Sequence, residues 1–96
     1  MLIIAGHLDL DPTQRSDYIT AHADLVARAR AAEGCLDLAI SADPVLAARV
    51  NLFERWESED HLAAWREVAD PPRLDVTYLD GDVQKYSIDD VSPAFS

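Results

Sequence analysis

Cysteine is almost absent from this chain: Cys35 stands alone, so no internal disulfide can form. A single thiol fits a reducing, cytoplasmic setting, and no Cys/His spacing resembles a metal site, so no metal is expected. Lysine is scarcer than acid by a wide margin. Lys85 is the only one, and 8 basic residues face 18 acidic ones for a net charge of −10. Phosphate binding needs clustered Lys and Arg, so nucleic acid is excluded as a partner, and an acidic surface disfavours anionic membranes. Long apolar runs are missing too. Met1-Leu2-Ile3-Ile4-Ala5 lacks a basic leader, is too short for a signal core, and runs into Asp9 and Asp11. Nothing approaches the length of a membrane span. Repeats, linkers, low-complexity tracts and nucleotide-binding motifs are also lacking, so no cofactor is expected.

What remains is ordinary globular composition, 49% apolar and 27% charged over 96 residues. That length implies one domain spanning 1–96, with a core at about 2–88 and a polar tail at 89–96. Residues 2–10 read as a strand, rich in apolar and β-branched side chains and ended by Asp11-Pro12. Asp11 is a good N-cap and Pro12 suits a first helical turn. Residues 13–33 then carry Ile19, His22, Val26, Ala29 and Glu33 on one stripe, with Tyr18 and Leu25 beside it. This spacing predicts one long helix, stopped at Gly34. Residues 35–41 alternate as a second strand and 49–56 as a third, separated by Ala42-Asp43-Pro44 and a short connector. Ser58 caps a second helix bearing Leu62, Trp65 and Ala69, closed by Pro71-Pro72. A short helical turn is expected somewhere in 73–82, and 83–88 reads as a fourth strand.

The order βαββαβ predicts an α+β, ferredoxin-like domain: a four-stranded antiparallel sheet with both helices on one face. Right-handed crossovers place the first and third strands centrally. Yet in the first strand Leu2, Ile4 and Leu8 alternate with Ile3, Ala5 and His7, so neither face is consistently polar. A sheet covered on one side only should not be apolar on both. The economical explanation is a homodimer joined through the open sheet face.

Several segments resemble the antibiotic biosynthesis monooxygenase family of dimeric α+β barrels. They are Ile3-Ile4-Ala5-Gly6-His7, Glu33-Gly34-Cys35, Phe53-Glu54-Arg55-Trp56-Glu57-Ser58 and Leu62-Ala63-Ala64-Trp65. The resemblance implies the same fold and a range of activities: cofactor-independent oxidation of phenols to quinones, heme degradation and isomerisation. Against the quinone-forming branch, Trp56 matches, while Leu52 stands where that branch has Asn and Leu62 where it has Tyr. Against the heme-degrading branch, Trp65 matches, His7 replaces an Asn, and Asp75 occupies the position of the iron-ligating His.

The resulting candidate site has His7, His22 and Glu54 as catalytic groups and Trp56, Trp65 and Leu52 as the substrate-binding wall. Each has a plainer reading. Trp56 and Trp65 can fill the core, His22 can be a satisfied core histidine, and Glu54 can pair with Arg28 or Arg30. His61, near a helix start, is expected to be exposed. On the functional reading, the two indoles hold a small aromatic substrate between them, and His7 or His22 takes a phenolic proton. The anion then reduces O₂ on the way to a quinone. Two alternatives stay open: an isomerase using the same cleft without O₂, and a non-catalytic small-molecule-binding barrel.

Overall fold

The computed structural model describes residues 1–95. Strand β1 (Leu2–Leu10) leads through a 3₁₀ turn (Pro12–Gln14) into helices α1 (Arg15–Ala21) and α2 (Ala23–Ala31). Strands β2 (Cys35–Ala42) and β3 (Arg49–Trp56), helix α3 (Glu59–Val68) and strand β4 (Tyr78–Ser87) follow. The sheet runs β2-β3-β1-β4 with every neighbouring pair antiparallel. This is the expected α+β arrangement, with the first and third strands in the middle.

Two elements depart from the expected outline. The long helix is two helices, interrupted at His22, for a reason that belongs to the site described below. The helical turn expected in 73–82 does not form: β4 begins at Tyr78 and pairs with β1 through Gly81 opposite Leu8 and Asp82 opposite His7. Asp80-Gly81-Asp82 carries local turn chemistry, but the hydrogen-bonding edge of β1 overrides it.

Sheet alternation sorts the side chains. Leu2, Ile4 and Leu10 of β1, Leu38 of β2 and Val50 and Trp56 of β3 are buried on the helix side. Leu62 and Trp65 of α3 and Ala29 of α2 complete the main cluster, while Leu10, Tyr18 and Val50 form a second one. The side chain of Ser58 accepts the His61 N–H at 3.2 Å, capping α3. Gly34, at φ 81, returns the chain from α2, and a Cβ there would strike the His61 ring. Gly6, at φ 153, lets β1 approach β4 so closely that a Cβ would overlap the Asp82 carbonyl.

The opposite face of the sheet carries Ile3, Ala5, His7 and Asp9 of β1 beside Arg55, Phe53, Asn51 and Arg49 of β3. No helix covers it. All ten residues of β4 are exposed. Among the described residues, no helix is long and apolar enough to cross a membrane.

The β2–β3 connection is held by one carboxylate. Asp43 accepts from the backbone N–H of Leu46 at 2.8 Å and of Val45 at 3.0 Å, and from Asn51 Nδ2 at 2.9 Å. These donors, Leu46 foremost, pull its pKa from 3.8 to about 2. A carboxyl more acidic in the folded than in the unfolded chain adds stability above 3.8, and that contribution disappears as pH falls through about 2. Asp43→Asn is therefore expected to lower Tm at pH 7, with the gap from the parent closing near pH 2. Circular-dichroism melts across that range check it, and a gap independent of pH contradicts it.

Candidate functional site

A cavity of about 210 Å³ opens between the two core clusters, under α1 to α3 and above β2 and β3. Tyr18, His22, Leu52, Glu54, Trp65 and Arg66 line it. His22 and Trp65 reach it because the helical stripes that bury Tyr18, His22, Leu62 and Trp65 face the sheet. Leu52 and Glu54 reach it because they share strand parity with the buried Val50 and Trp56.

His22 explains the helix interruption. Its Nδ1 lies 2.7 Å from the Tyr18 carbonyl oxygen, one turn back. The same oxygen receives the His22 backbone N–H at only 3.3 Å, and that N–H lies closer to the Ile19 oxygen, at 3.1 Å. The ring thus competes with the backbone for one acceptor. The local turn tightens to φ −89, ψ −1 before α2 resumes. A carbonyl can only accept, so Nδ1 carries the hydrogen, and in the neutral ring Nε2 holds the lone pair. Among the described residues Nε2 makes no hydrogen bond, and it is not one of the buried atoms left without a partner. It therefore keeps some contact with solvent, on a residue that lines the cavity.

The Tyr18 ring lies against His22, centroids 4.2 Å apart and tilted by 36°. Burial, helped by the neighbouring Tyr78 phenol, pushes the Tyr18 hydroxyl up to about 12. Tyr18 is thus a neutral O–H group at physiological pH.

The two tryptophans divide the work differently from the expected sandwich. Their rings stack on each other, centroids 6.3 Å apart at 25°. No flat molecule fits between rings already in that contact range. Trp56 is fully buried behind, and Trp65 forms the wall. Trp56 Nε1 donates to Glu54 Oε1 at 3.0 Å, so Glu54 is engaged by an indole and not by Arg28 or Arg30. Arg28 instead pairs with Asp24 at 2.8 Å and lies over the Trp65 ring at 5.7 Å.

His7 does not join this group. It pairs with Asn51 on β3 and Asp82 on β4. Its neighbour Leu8 packs on Leu10 and Val50 under the helices, so alternation sends His7 to the uncovered face. His61 is half-buried against Ser58 Oγ, 2.7 Å from its Nδ1, and lies outside the cavity. Cys35 is no candidate nucleophile: burial, then the Glu54 and Asp37 carboxylates, push its thiol up. Among the described residues no three His, Cys, Asp or Glu side chains gather to hold a metal ion. Tyr18 and Arg66 were not among the residues expected from sequence. The i, i+4 spacing of Tyr18 and His22 was the available signal for the first, and Arg66 had none beyond its place beside Trp65.

A ferredoxin-like α+β domain with a histidine and an indole facing a small cavity beneath its helices defines the class. The chain belongs to the antibiotic biosynthesis monooxygenase family, whose model matches residues 1–70. It is similar in fold to a candidate antibiotic biosynthesis monooxygenase from Deinococcus radiodurans, at 14% identity and TM-score 0.71 over 100% of both chains. A second such protein, from Nitrosomonas europaea, gives 15% identity and TM-score 0.70 over 91% of this chain and 97% of that one. The heme-degrader MhuD of Mycobacterium tuberculosis, with two hemes bound in its active site, gives 12% identity and TM-score 0.67 over 96% and 100%. No curated protein matches.

The His22 tautomer is directly measurable. Long-range ¹⁵N–¹H correlation spectra at a pH where the ring is neutral should show the hydrogen on Nδ1. A hydrogen on Nε2 would break the link between the helix interruption and the free lone pair.

Proposed function

We propose that this protein is a cofactor-independent monooxygenase that converts a small phenol or hydroquinone to a quinone, with His22 as its base. Membership of the monooxygenase family supports the reaction type. The observation that carries the assignment is the Nδ1–H bond from His22 to the Tyr18 carbonyl, which leaves the Nε2 lone pair free on a residue lining the cavity.

The chain's contribution is deprotonation, orientation and exclusion of water. Trp65 and Leu52 hold the ring, Tyr18 packs against the imidazole, and Nε2 of His22 takes the phenolic proton. The electron-rich anion transfers one electron to O₂. The resulting superoxide and aryl radical join at a hydrogen-bearing ring carbon ortho or para to the oxygen, forming a C–O bond to a peroxide. Loss of that carbon's hydrogen and cleavage of the O–O bond release water and leave the second quinone carbonyl. Imidazolium returns the proton to the departing oxygen, so phenol plus O₂ balances quinone plus water. Glu54, held by the Trp56 N–H, fixes the floor of the cavity.

The working unit in this reading is a cytoplasmic homodimer joined through the uncovered sheet face. Ile3, Ala5 and Phe53 lie together there in register, with Ala39 and Tyr86 beside them. Arg55 Nε, on the same face, is the one buried side-chain nitrogen or oxygen without a hydrogen-bond partner among the described residues. Apolar surface and an unmet donor both call for a covering layer.

Oxygen uptake with a panel of phenols and hydroquinones tests the chemistry. His22→Gln should lower kcat by about 10²-fold or more, the usual worth of a positioned base. A variant that turns over at the parent rate removes His22 from the reaction, and no O₂ consumption with any member of the panel removes the oxygenase. Phe53→Asp should convert the dimer to monomer by light scattering at micromolar concentration. A dimer that survives it excludes the sheet face as the interface.

A further inference from the structure

Resting on the phenol-binding reading, we propose that the substrate is a hydroxylated aromatic acid of one or two fused rings, its carboxylate held by Arg66. Size comes first. A cavity of roughly 150 Å³ accommodates benzene, so about 210 Å³ matches one ring or two.

Polarity comes second, and it is graded along the cavity. Tyr18, His22 and Trp65 are each less than a tenth exposed and form its deep end, whereas Arg66 is exposed at its mouth. Arg28, Arg30 and Arg49 are matched to Asp24, Asp37 and Asp9. Arg66 has no carboxylate partner and no hydrogen bond among the described residues. Its position in the last turn of α3 suits the helix dipole and leaves the guanidinium head free. Arg15, Arg55 and Arg73 also form no ion pair, but Arg66 is the only arginine among the residues lining the cavity, and screening over about 8 Å lets that local charge decide what approaches its mouth.

The remaining lining charge sets the orientation. Glu54 sits on the sheet floor with Oε1 taken by Trp56 Nε1 at 3.0 Å. A carboxylate on the floor repels an anionic group placed deep, and the His22 lone pair attracts a hydroxyl there. The hydroxyl therefore enters first and the acid stays outside, where the planar fork of Arg66 grips both its oxygens.

The test is calorimetric titration of the intact protein without O₂, using 6-hydroxy-2-naphthoate, 2-naphthol and 6-amino-2-naphthol. The hydroxynaphthoate should bind about tenfold tighter than naphthol, as expected for one charge-assisted contact at a partly exposed site. Arg66→Gln should bring its affinity down to that of naphthol, and Arg66→Lys should restore part of the difference. Equal affinities in the parent, tighter binding of the amine, or a preference that survives Arg66→Gln would each overturn the acid assignment. Because binding is read anaerobically, hydroxynaphthoate that binds as expected but consumes no O₂ on aeration counts against the oxygenase alone. Failure of both naphthol and naphthoate to bind overturns the phenol cavity itself.

Discussion

Two-sided alternation along four strands, with helices on only one side, is the constraint from which the rest follows. It sends Leu52, Glu54 and Trp56 under the helices and Asn51, Phe53 and Arg55 away from them. The cavity exists because the helix-side residues form two clusters, one around Trp56 and Leu62 and one around Leu10 and Val50. The same rule strands His7 on the far side, beside Asp82 and Asn51. One backbone periodicity thus turns Leu52 and Glu54 toward the cavity and the apolar Ile3, Ala5 and Phe53 toward the uncovered face.

Within the covered face, polar groups are arranged so that each has one partner and one free end. Tyr18 gives its carbonyl to His22 and its ring face to the same imidazole. Trp56 gives its N–H to Glu54 and its ring to Trp65. These contacts fix a tautomer and a wall. Positions held by packed neighbours in this way lose little entropy when a ligand arrives.

Much of the fold was legible because its signals are local. Asp11-Pro12, Gly34 and Ser58 mark element ends by capping chemistry, and the strand periods of β1 to β3 stand out directly. The miss at β4 has the opposite character, since Asp80-Gly81-Asp82 favours a turn until β1 supplies a partner. For the site, the stripe through Tyr18, His22 and Leu25 reads the same whether the helix is continuous or broken. Competition for a single carbonyl leaves no trace in spacing. Trp56 and Trp65 could be recognised as neighbours, but whether two indoles touch or stand apart depends on the depth of α3 over the sheet. His7 was assigned to the cleft through the family resemblance, and the alternation of its own strand argued otherwise.

The broken helix has a further meaning for how such a chain could change over time. An imidazole at position 22 is compatible with a bend, because the ring itself claims the oxygen that would have carried the backbone onward. Alanine there would let α1 and α2 fuse into one straight rod running from Arg15 to Ala31. Under the proposed mechanism, losing the base and straightening the rod are then a single event. A relative that has abandoned this chemistry would be recognisable by the uninterrupted line of its first helix, before any assay is run.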